Sequence, residues 1–557
     1  MKPNACSIVG AVRRTPHFFT GWNCPAFCRK PFQTLSCIAL ALSIVLPLAA
    51  LRAAEVPEIR TPPAPPTPRI NGPDIFGVRP GHPFLYHIPA TGNRPITFSV
   101  DNLPAGLQVD PATGEITGRL EKPGDYLVTL RAKNQPGAAG KKFKIVVGET
   151  IALTPPLGWN SWNCWGSRVD EPEVLAAAQA MADSGLINHG WTYINIDDSW
   201  QGRRGGPFQA LQGNKKFPDL KKLGDDIHAL GLKIGIYSTP WTTSYAGYPG
   251  GSSENPEGAW TKPVGPKRVN HNLLPWAIGK YHFATRDAGQ WAAWGFDYLK
   301  YDWNPIEVPE TGEMYDALRH SGRDIVFSLS NNLNIKNAPD ISRIANSWRT
   351  TGDIRDNWWS VTGNGFASQN RWAQYSSPGH WNDPDMLVVG YVGWGQPHPS
   401  GLTTDEQYSH ITLWCLLASP LLLGCDMSRL DPFTLNLLEN DEVLAVDQDS
   451  LGKQATLVSE SGGPVTITEI RRDRPTLHRT LASFQVWARP LADGSHAVGL
   501  FNLSDQPATV SVQWPDLMIT GKHSVRDLWR QKNLGEFEGE FSMPVAPHGA
   551  ELVKIEP

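Results

Sequence analysis

The sequence predicts a multidomain protein built around a (β/α)8 TIM barrel, with a small β-sandwich before it and an antiparallel β-sandwich after it. Three observations predict this. Between Pro155 and about Gly452, apolar β-rich runs alternate with helical patterns, the signature of repeated βα units and a parallel sheet. From Arg69 to Gly148, and again after Asp449, short alternating runs are separated by turn signals, as in antiparallel sandwiches. A length of 557 residues calls for roughly two to four domains.

The chain opens on a targeting pattern. Lys2, Arg13, Arg14, Arg29 and Lys30 precede an apolar run from Leu35 to Leu51, which ends in small residues at Ala53 and Ala54. A basic flank, a short apolar core and a small-residue exit fit a secretory signal peptide over 1–54, which implies a secreted, periplasmic or cell-envelope location. The basic region is long, so a downstream start codon or a retained anchor are the alternatives. Four of the seven cysteines lie in this segment, leaving Cys164, Cys415 and Cys425 beyond it, an odd number that implies at least one free thiol. The apolar neighbours of Cys415 point to a buried structural role. Residues 55–68 are Pro-rich (TPPAPPTP) and read as a stiff extended linker.

Residues 69–148 contain FLYHIP, ITFSV, EITGRL, YLVTLRAK and KKFKIVVG, a β-sandwich by their spacing. The stretch LPAGLQVDPATGEITGRLEKPGDYLVTLRAKN resembles the Ig-like modules attached to bacterial extracellular enzymes, and it carries no ligand constellation. Over 149–454 eight runs read as barrel strands: LGWNSW, YINIDD, LKIGIYS, FDYLKYDW, DIVFSLS, SWRTTG, PGHWND and SPLLLG. Several end in polar or acidic residues: Asp197 and Asp198, Asp302, Ser330, Asp353 and Asp383. The C-terminal ends of barrel strands converge on one mouth, so these side chains are expected to meet there. The remaining 455–557 alternate again, forming the C-terminal β domain.

Composition excludes some functions. A net charge of -4 and pI near 6.4 argue against nucleic-acid or anionic-membrane partners. His189, His228, His271, His282, His380 and His410 are scattered, with no close pair to begin a metal site, so neither metal nor organic cofactor is expected. Twenty-two tryptophans fit two readings, large aromatic cores or stacking on sugar rings.

TPPLGWNSWNCWG, YINIDDSWQ, KFPDLKKLGDDIHALGLKIGIYS, WGFDYLKYDWN, SWRTTGDI, GHWNDPDMLVVG, SPLLLGCDM and VDQDSLGKQ resemble, in order, the landmarks of glycoside hydrolase family 27. The resemblance implies a retaining exo-glycosidase acting on terminal α-D-galactosyl residues of oligo- or polysaccharides. It implies Asp302 as nucleophile and Asp353 as acid/base. It implies substrate contacts from Trp162 beneath the sugar face, from Asp197 and Asp198 to O4 and O6, and from Tyr237, Lys300, Ser330, Arg349 and Asp385. Retention needs two carboxyl groups, one ionised and one protonated at the start. Lys300 shares a strand face with Asp302 and is expected to keep it ionised, with that charge pushing Asp353 toward protonation.

Two departures bear on specificity. Tyr245 and Asn304 stand where many relatives place a bridged cysteine pair, and the segment Gly250 to Lys280 is long, with Trp260, His271 and Trp276 as candidate subsite residues. Ser330 stands where galactose-specific relatives carry a bulkier acid, a cue for N-acetylgalactosamine. Leu333 takes the place that must be small to admit an acetamido methyl, the opposite cue. α-N-Acetylgalactosaminidase and β-L-arabinopyranosidase are therefore the alternatives within the family. Asp197, as the shorter acid, leaves room for a C6 hydroxymethyl and disfavours the arabinopyranosidase. A non-catalytic carbohydrate-binding protein is the alternative from another class, and the presence of both acids speaks against it.

Overall fold

The computed structural model describes residues 57–259, 277–471 and 474–557, with backbone pairs at 268–269 and 272–273. The signal-peptide segment, Trp260, His271 and Trp276 lie outside the described residues.

Eight parallel strands make the central sheet: β1 (Leu157–Asn160), β2 (Tyr193–Asn195), β3 (Lys233–Ser238), β4 (Tyr298–Asp302), β5 (Val326–Ser330), β6 (Ser347–Arg349), β7 (Trp381–Asp383) and β8 (Leu421–Leu423). Each lies within one of the eight runs identified in the sequence. They neighbour one another in chain order from β1 to β7, with β8 beside β1. The ring closes where Leu387, just past β7, pairs with Leu423 of β8.

Side-chain alternation sorts this barrel into two environments. On β4, Leu299 and Tyr301 join the large core shared with the helices, whereas Tyr298 packs with Ile151, Val326 and Leu422. Residues two apart on a strand face the same way, so Lys300 and Asp302 continue the Tyr298 row from floor to mouth. The interior is tight: a Cβ on Gly235 of β3 would come within 2.0 Å of Asn195 Oδ1 on β2. Among the described residues twelve tryptophans are fully buried, so most of their tryptophan load belongs to cores.

Helix starts follow local chemistry. Helix α1 (Glu171–Asp183) opens on a capping box between Asp170 and Glu173, and α2 (Thr404–Leu416) on one between Thr403 and Glu406. Helix α2 is buried on all sides from Glu406 onward because the C-terminal β domain covers the face the barrel leaves open. Trp529 Nε1 of that domain donates to Thr412 Oγ1 at 2.8 Å, and His548 stacks on Trp358 at 4.8 Å. The domain consists of a six-stranded antiparallel sheet and a two-stranded one over their own apolar cluster.

The Ig-like module pairs a four-stranded with a three-stranded sheet over a separate core. It sits against the N-terminal ends of the barrel strands: Arg79 N donates to Asp324 Oδ2 at 2.9 Å, His82 meets the same carboxylate at 2.8 Å, and Lys233 lies 4.6 Å from the Phe76 ring. That is the end opposite the mouth, so the module supplies no side chain to the pocket described below.

Residues 57–61, part of the stretch read as a stiff extended linker, are docked where α2 meets the C-terminal domain. Arg60 is buried, pairs with Glu58 at 2.9 Å, Asp405 at 3.1 Å and Glu551 at 3.6 Å, and lies over the Tyr408 ring at 4.1 Å. Thr61 N donates to Asn436 Oδ1 at 3.0 Å. Composition alone suggested an extended chain; the buried carboxylate Glu551 supplies the reason it is held. Glu551 is also held by Arg530 at 2.7 Å, so removing Arg60 leaves that carboxylate paired but takes away the donor to Ala550 O, at 3.0 Å, and the cation over Tyr408. Arg60→Met is therefore expected to destabilise the protein by about 1–3 kcal/mol in denaturant unfolding, the cost of leaving a buried acceptor without its donor. A variant within about 0.5 kcal/mol of the parent, the range of ordinary surface changes, would show that the contact contributes nothing.

Candidate active site

The C-terminal ends of the strands and the loops that follow enclose a cavity of about 180 Å³. Ten residues singled out from the sequence line it: Trp162, Asp197, Asp198, Tyr237, Lys300, Asp302, Ser330, Arg349, Asp353 and Asp385; Asp383, also expected at the mouth, does not, being buried behind it with its Oδ1 accepting from Asp385 N at 2.8 Å. Strand register explains the convergence. Tyr237 is level with Lys300, Asp302 with Ser330, and Arg349 with Asp383, on neighbouring strands.

Each carboxylate is held differently. Asp302 is buried; its Oδ2 accepts from the Tyr237 hydroxyl at 3.1 Å and its Oδ1 from the Asn331 amide. Asp197 accepts from Lys300 Nζ at 2.7 Å. Asp198 accepts from Ser199 N at 2.6 Å, Gln201 Nε2 at 3.1 Å and Ala246 N at 2.8 Å. Asp385 pairs with Arg349 at 3.0 Å and accepts from Ile354 N at 2.7 Å. Asp353 stands apart: its side chain is 66% exposed, with Arg349 at 3.3 Å. One acid is thus sunk in the pocket and one stands at its rim.

Three rim residues other than glycine adopt left-handed backbone: Ser199 (φ 90°), Asn331 (φ 79°) and Asp385 (φ 90°). Such conformations cost about 1–3 kcal/mol each and persist where the surroundings over-determine them. Here each is tied by hydrogen bonds: Ser199 N to Asp198, Asn331 to Asp302 and Asp385 N to Asp383 Oδ1.

The electrostatics correct one expectation. Burial pushes the Asp302 carboxyl up to about 7, with Asp197 and Asp353 adding to the effect and Lys300 and Arg349 opposing it. Partial desolvation raises Asp353 as well, but Arg349 and Lys300 outweigh it and hold that carboxyl below its usual value. The proton therefore favours Asp302 over Asp353, the reverse of the order expected from Lys300 alone. The reason is geometric: Lys300 gives its hydrogen bond to Asp197, and Arg349 stands beside Asp353. Burial also works against charge on Lys300, but Asp197 and Asp302 raise it above the ordinary lysine value. Burial lifts Asp198 to about 6.

Asn163, Tyr245, Asn331 and Met386 also line the cavity and were not foreseen as site residues. For Tyr245 the absent cysteine was a signal: its ring packs edge-on against Trp241 at 5.0 Å, and its hydroxyl accepts from Asn331 Nδ2 at 3.1 Å. Asn331 had no signal beyond its place beside Ser330. Leu333 is buried in the barrel core and does not line the pocket, which removes the cue drawn from it. Among the described residues no group of His, Cys, Asp and Glu is arranged to hold a metal ion. Cys164, Cys415 and Cys425 are all free and buried.

A (β/α)8 barrel whose mouth gathers buried and rim carboxylates around one small polar pocket is the architecture of a glycoside hydrolase. The sequence model for alpha galactosidase A matches residues 154–261 and 273–449, and that for the alpha galactosidase C-terminal beta sandwich domain matches 482–555. The chain belongs to the α-galactosidase family, glycoside hydrolase family 27. An Ig domain model matches residues 67–148. Alpha-galactosidase 2 of Arabidopsis thaliana is 35% identical over 431 residues, covering 75% of this chain and 93% of that protein. The solved structure of a candidate α-galactosidase/melibiase from Bacteroides fragilis superposes with a TM-score of 0.75 at 32% identity, covering 89% of this chain and all (100%) of that one. A GH27 β-L-arabinopyranosidase from Geobacillus stearothermophilus gives a TM-score of 0.58 at 29% identity, covering 73% and 97%.

Proposed function

We propose that this protein is a retaining exo-α-galactosidase that releases terminal α-D-galactosyl residues from oligo- or polysaccharides. The observation that carries the reading is the pairing of a buried, doubly hydrogen-bonded Asp302 with an exposed Asp353 across one small cavity. In a retaining hydrolase the inner carboxylate attacks the anomeric carbon while the outer acid protonates the departing oxygen. Asp302 is assigned the first role and Asp353 the second. The resulting glycosyl ester is cleaved by a water that gives its proton to Asp353, and two inversions leave the configuration retained.

Substrate binding supports the proton order this needs. The aglycone covers Asp353 and strips its water, which raises a carboxyl pKa, while the donors on Asp302 favour its charged form. Asp197, Asp198 and Lys300 form a charged set suited to the O4 and O6 hydroxyls. A site built for those hydrogen bonds rejects an epimer that leaves its buried acids unpaired. Trp162 supplies an apolar face for stacking, and Asp385 holds Arg349 in place.

A second reading has one observation behind it. Ser330 is small and Leu333 is withdrawn from the pocket, so the wall near the sugar's 2-position is less bulky than the sequence implied. This favours some turnover of α-N-acetylgalactosaminides. Assay of residues 55–557 on p-nitrophenyl α-galactoside, α-N-acetylgalactosaminide and β-L-arabinopyranoside decides between the readings. The α-galactoside is expected to have the highest kcat/KM. No turnover of any of the three would rule out the proposed activity.

A further inference from the structure

We propose that Asn331, braced by Tyr245, is a positioning residue that aims the Asp302 carboxylate for attack and favours its charged form against the burial that opposes it. This rests on the reading of Asp302 as nucleophile.

The geometry is that of a clamp. An ionised carboxylate only accepts hydrogen bonds, so the Asn331 amide must present its NH2 to Asp302. That group spans two oxygens, Asp302 Oδ1 and the Tyr245 hydroxyl, the latter at 3.1 Å. Tyr237 fixes the other carboxylate oxygen at 3.1 Å. The charged groups facing Asp302 are Lys300, Arg349, Asp197 and Asp353. Both cations are engaged elsewhere, Lys300 with Asp197 at 2.7 Å and Arg349 with Asp385 at 3.0 Å. The hydrogen bonds recorded on Asp302 thus come from neutral donors.

A second observation points the same way. Asn331 carries left-handed backbone, φ 79°, directly after the Ser330 that is in register with Asp302. That conformation turns the side chain of a residue just past β5 back toward β4. Tyr245 comes from the loop after β3, so the brace ties three consecutive strand ends to one carboxylate.

The test uses two variants that keep the backbone allowed. Glycine adopts positive φ without strain, so Asn331→Gly removes only the donor. Aspartate tolerates the same region, and Asn331→Asp replaces the donor with a like charge. The measurement is the pH profile of kcat/KM on p-nitrophenyl α-galactoside, whose acid limb reports the free enzyme's essential base. Losing a hydrogen bond to a charged group is expected to raise that limb by about one pH unit in Asn331→Gly. The limb should lie higher still in Asn331→Asp, and kcat/KM at the plateau should fall roughly 10- to 100-fold in both, the range of about one to two tenfold steps such a bond is worth. Profiles that superimpose on the parent, even with lower thermal stability, would overturn the proposal. So would an aspartate variant with the lower limb of the two. Asp302→Ala is run alongside: if it retains activity, the reading of the nucleophile has failed rather than the brace.

Discussion

Asp302→Ala is expected to lose turnover of p-nitrophenyl α-galactoside by about 10⁵-fold or more, the scale seen when a covalent nucleophile is removed. With no carboxylate to form the glycosyl ester, neither half of the double displacement proceeds. Trimming the side chain also opens space on the side of the sugar that Asp302 faced. Added azide is expected to occupy it, attack the anomeric carbon and displace nitrophenolate in one step. One displacement inverts, so the product is β-galactosyl azide. NMR of the product checks this, and α-galactosyl azide would place the nucleophile elsewhere. The pH dependence of the parent follows from the same residue. Asp302 is pushed up to about 7, so on the aryl substrate, whose first step needs no acid, kcat/KM falls as the solution is acidified through that region and the carboxylate takes up a proton. On an oligosaccharide, which also needs a proton on Asp353, kcat/KM falls instead as the pH rises through that region, because the pair then loses its one remaining proton.

Asp353→Ala is expected to separate the two steps. Nitrophenolate leaves without protonation, so the first step on the aryl substrate survives. The second step loses its base and slows by about 10²- to 10⁴-fold. A burst of nitrophenol followed by a slow steady state is the expected trace, with the glycosyl ester on Asp302 accumulating to be detected by mass spectrometry. An oligosaccharide whose leaving sugar needs a proton is expected to lose both steps. Azide attacks the accumulated ester from the opposite face, so this variant yields α-galactosyl azide. The two variants thus predict opposite anomers from one reagent. Equal losses on aryl and oligosaccharide substrates would argue that Asp353 is not the acid.

Much of this was legible in the chain because it is written locally. The alternation of Tyr298, Leu299, Lys300, Tyr301 and Asp302 on one strand fixes which side chains face inward, and the helix caps at Asp170 and Thr403 are set by residues three apart. A polar residue at the end of a predicted barrel strand is at the mouth by topology alone. Ten site residues chosen on those grounds and on family resemblance share one cavity.

What depended on contacts between distant segments was not legible. The docking of Arg60 requires Asp405 and Glu551, which lie hundreds of positions away. The place of Leu333 depends on how the chain turns after Asn331, and the clamp on Asp302 joins loops from three strands. Proton preference is a sum of burial and charge over the whole pocket, so two residues of spacing between Lys300 and Asp302 did not determine it. The sequence by itself determined the barrel, its flanking sandwiches and the residues that reach the mouth, because periodicity and strand polarity are properties of short stretches. Tertiary structure alone decided which acid is buried, which cation each one meets and which carboxyl the proton favours, because desolvation and Coulomb interaction depend on three-dimensional distance, not on order along the chain.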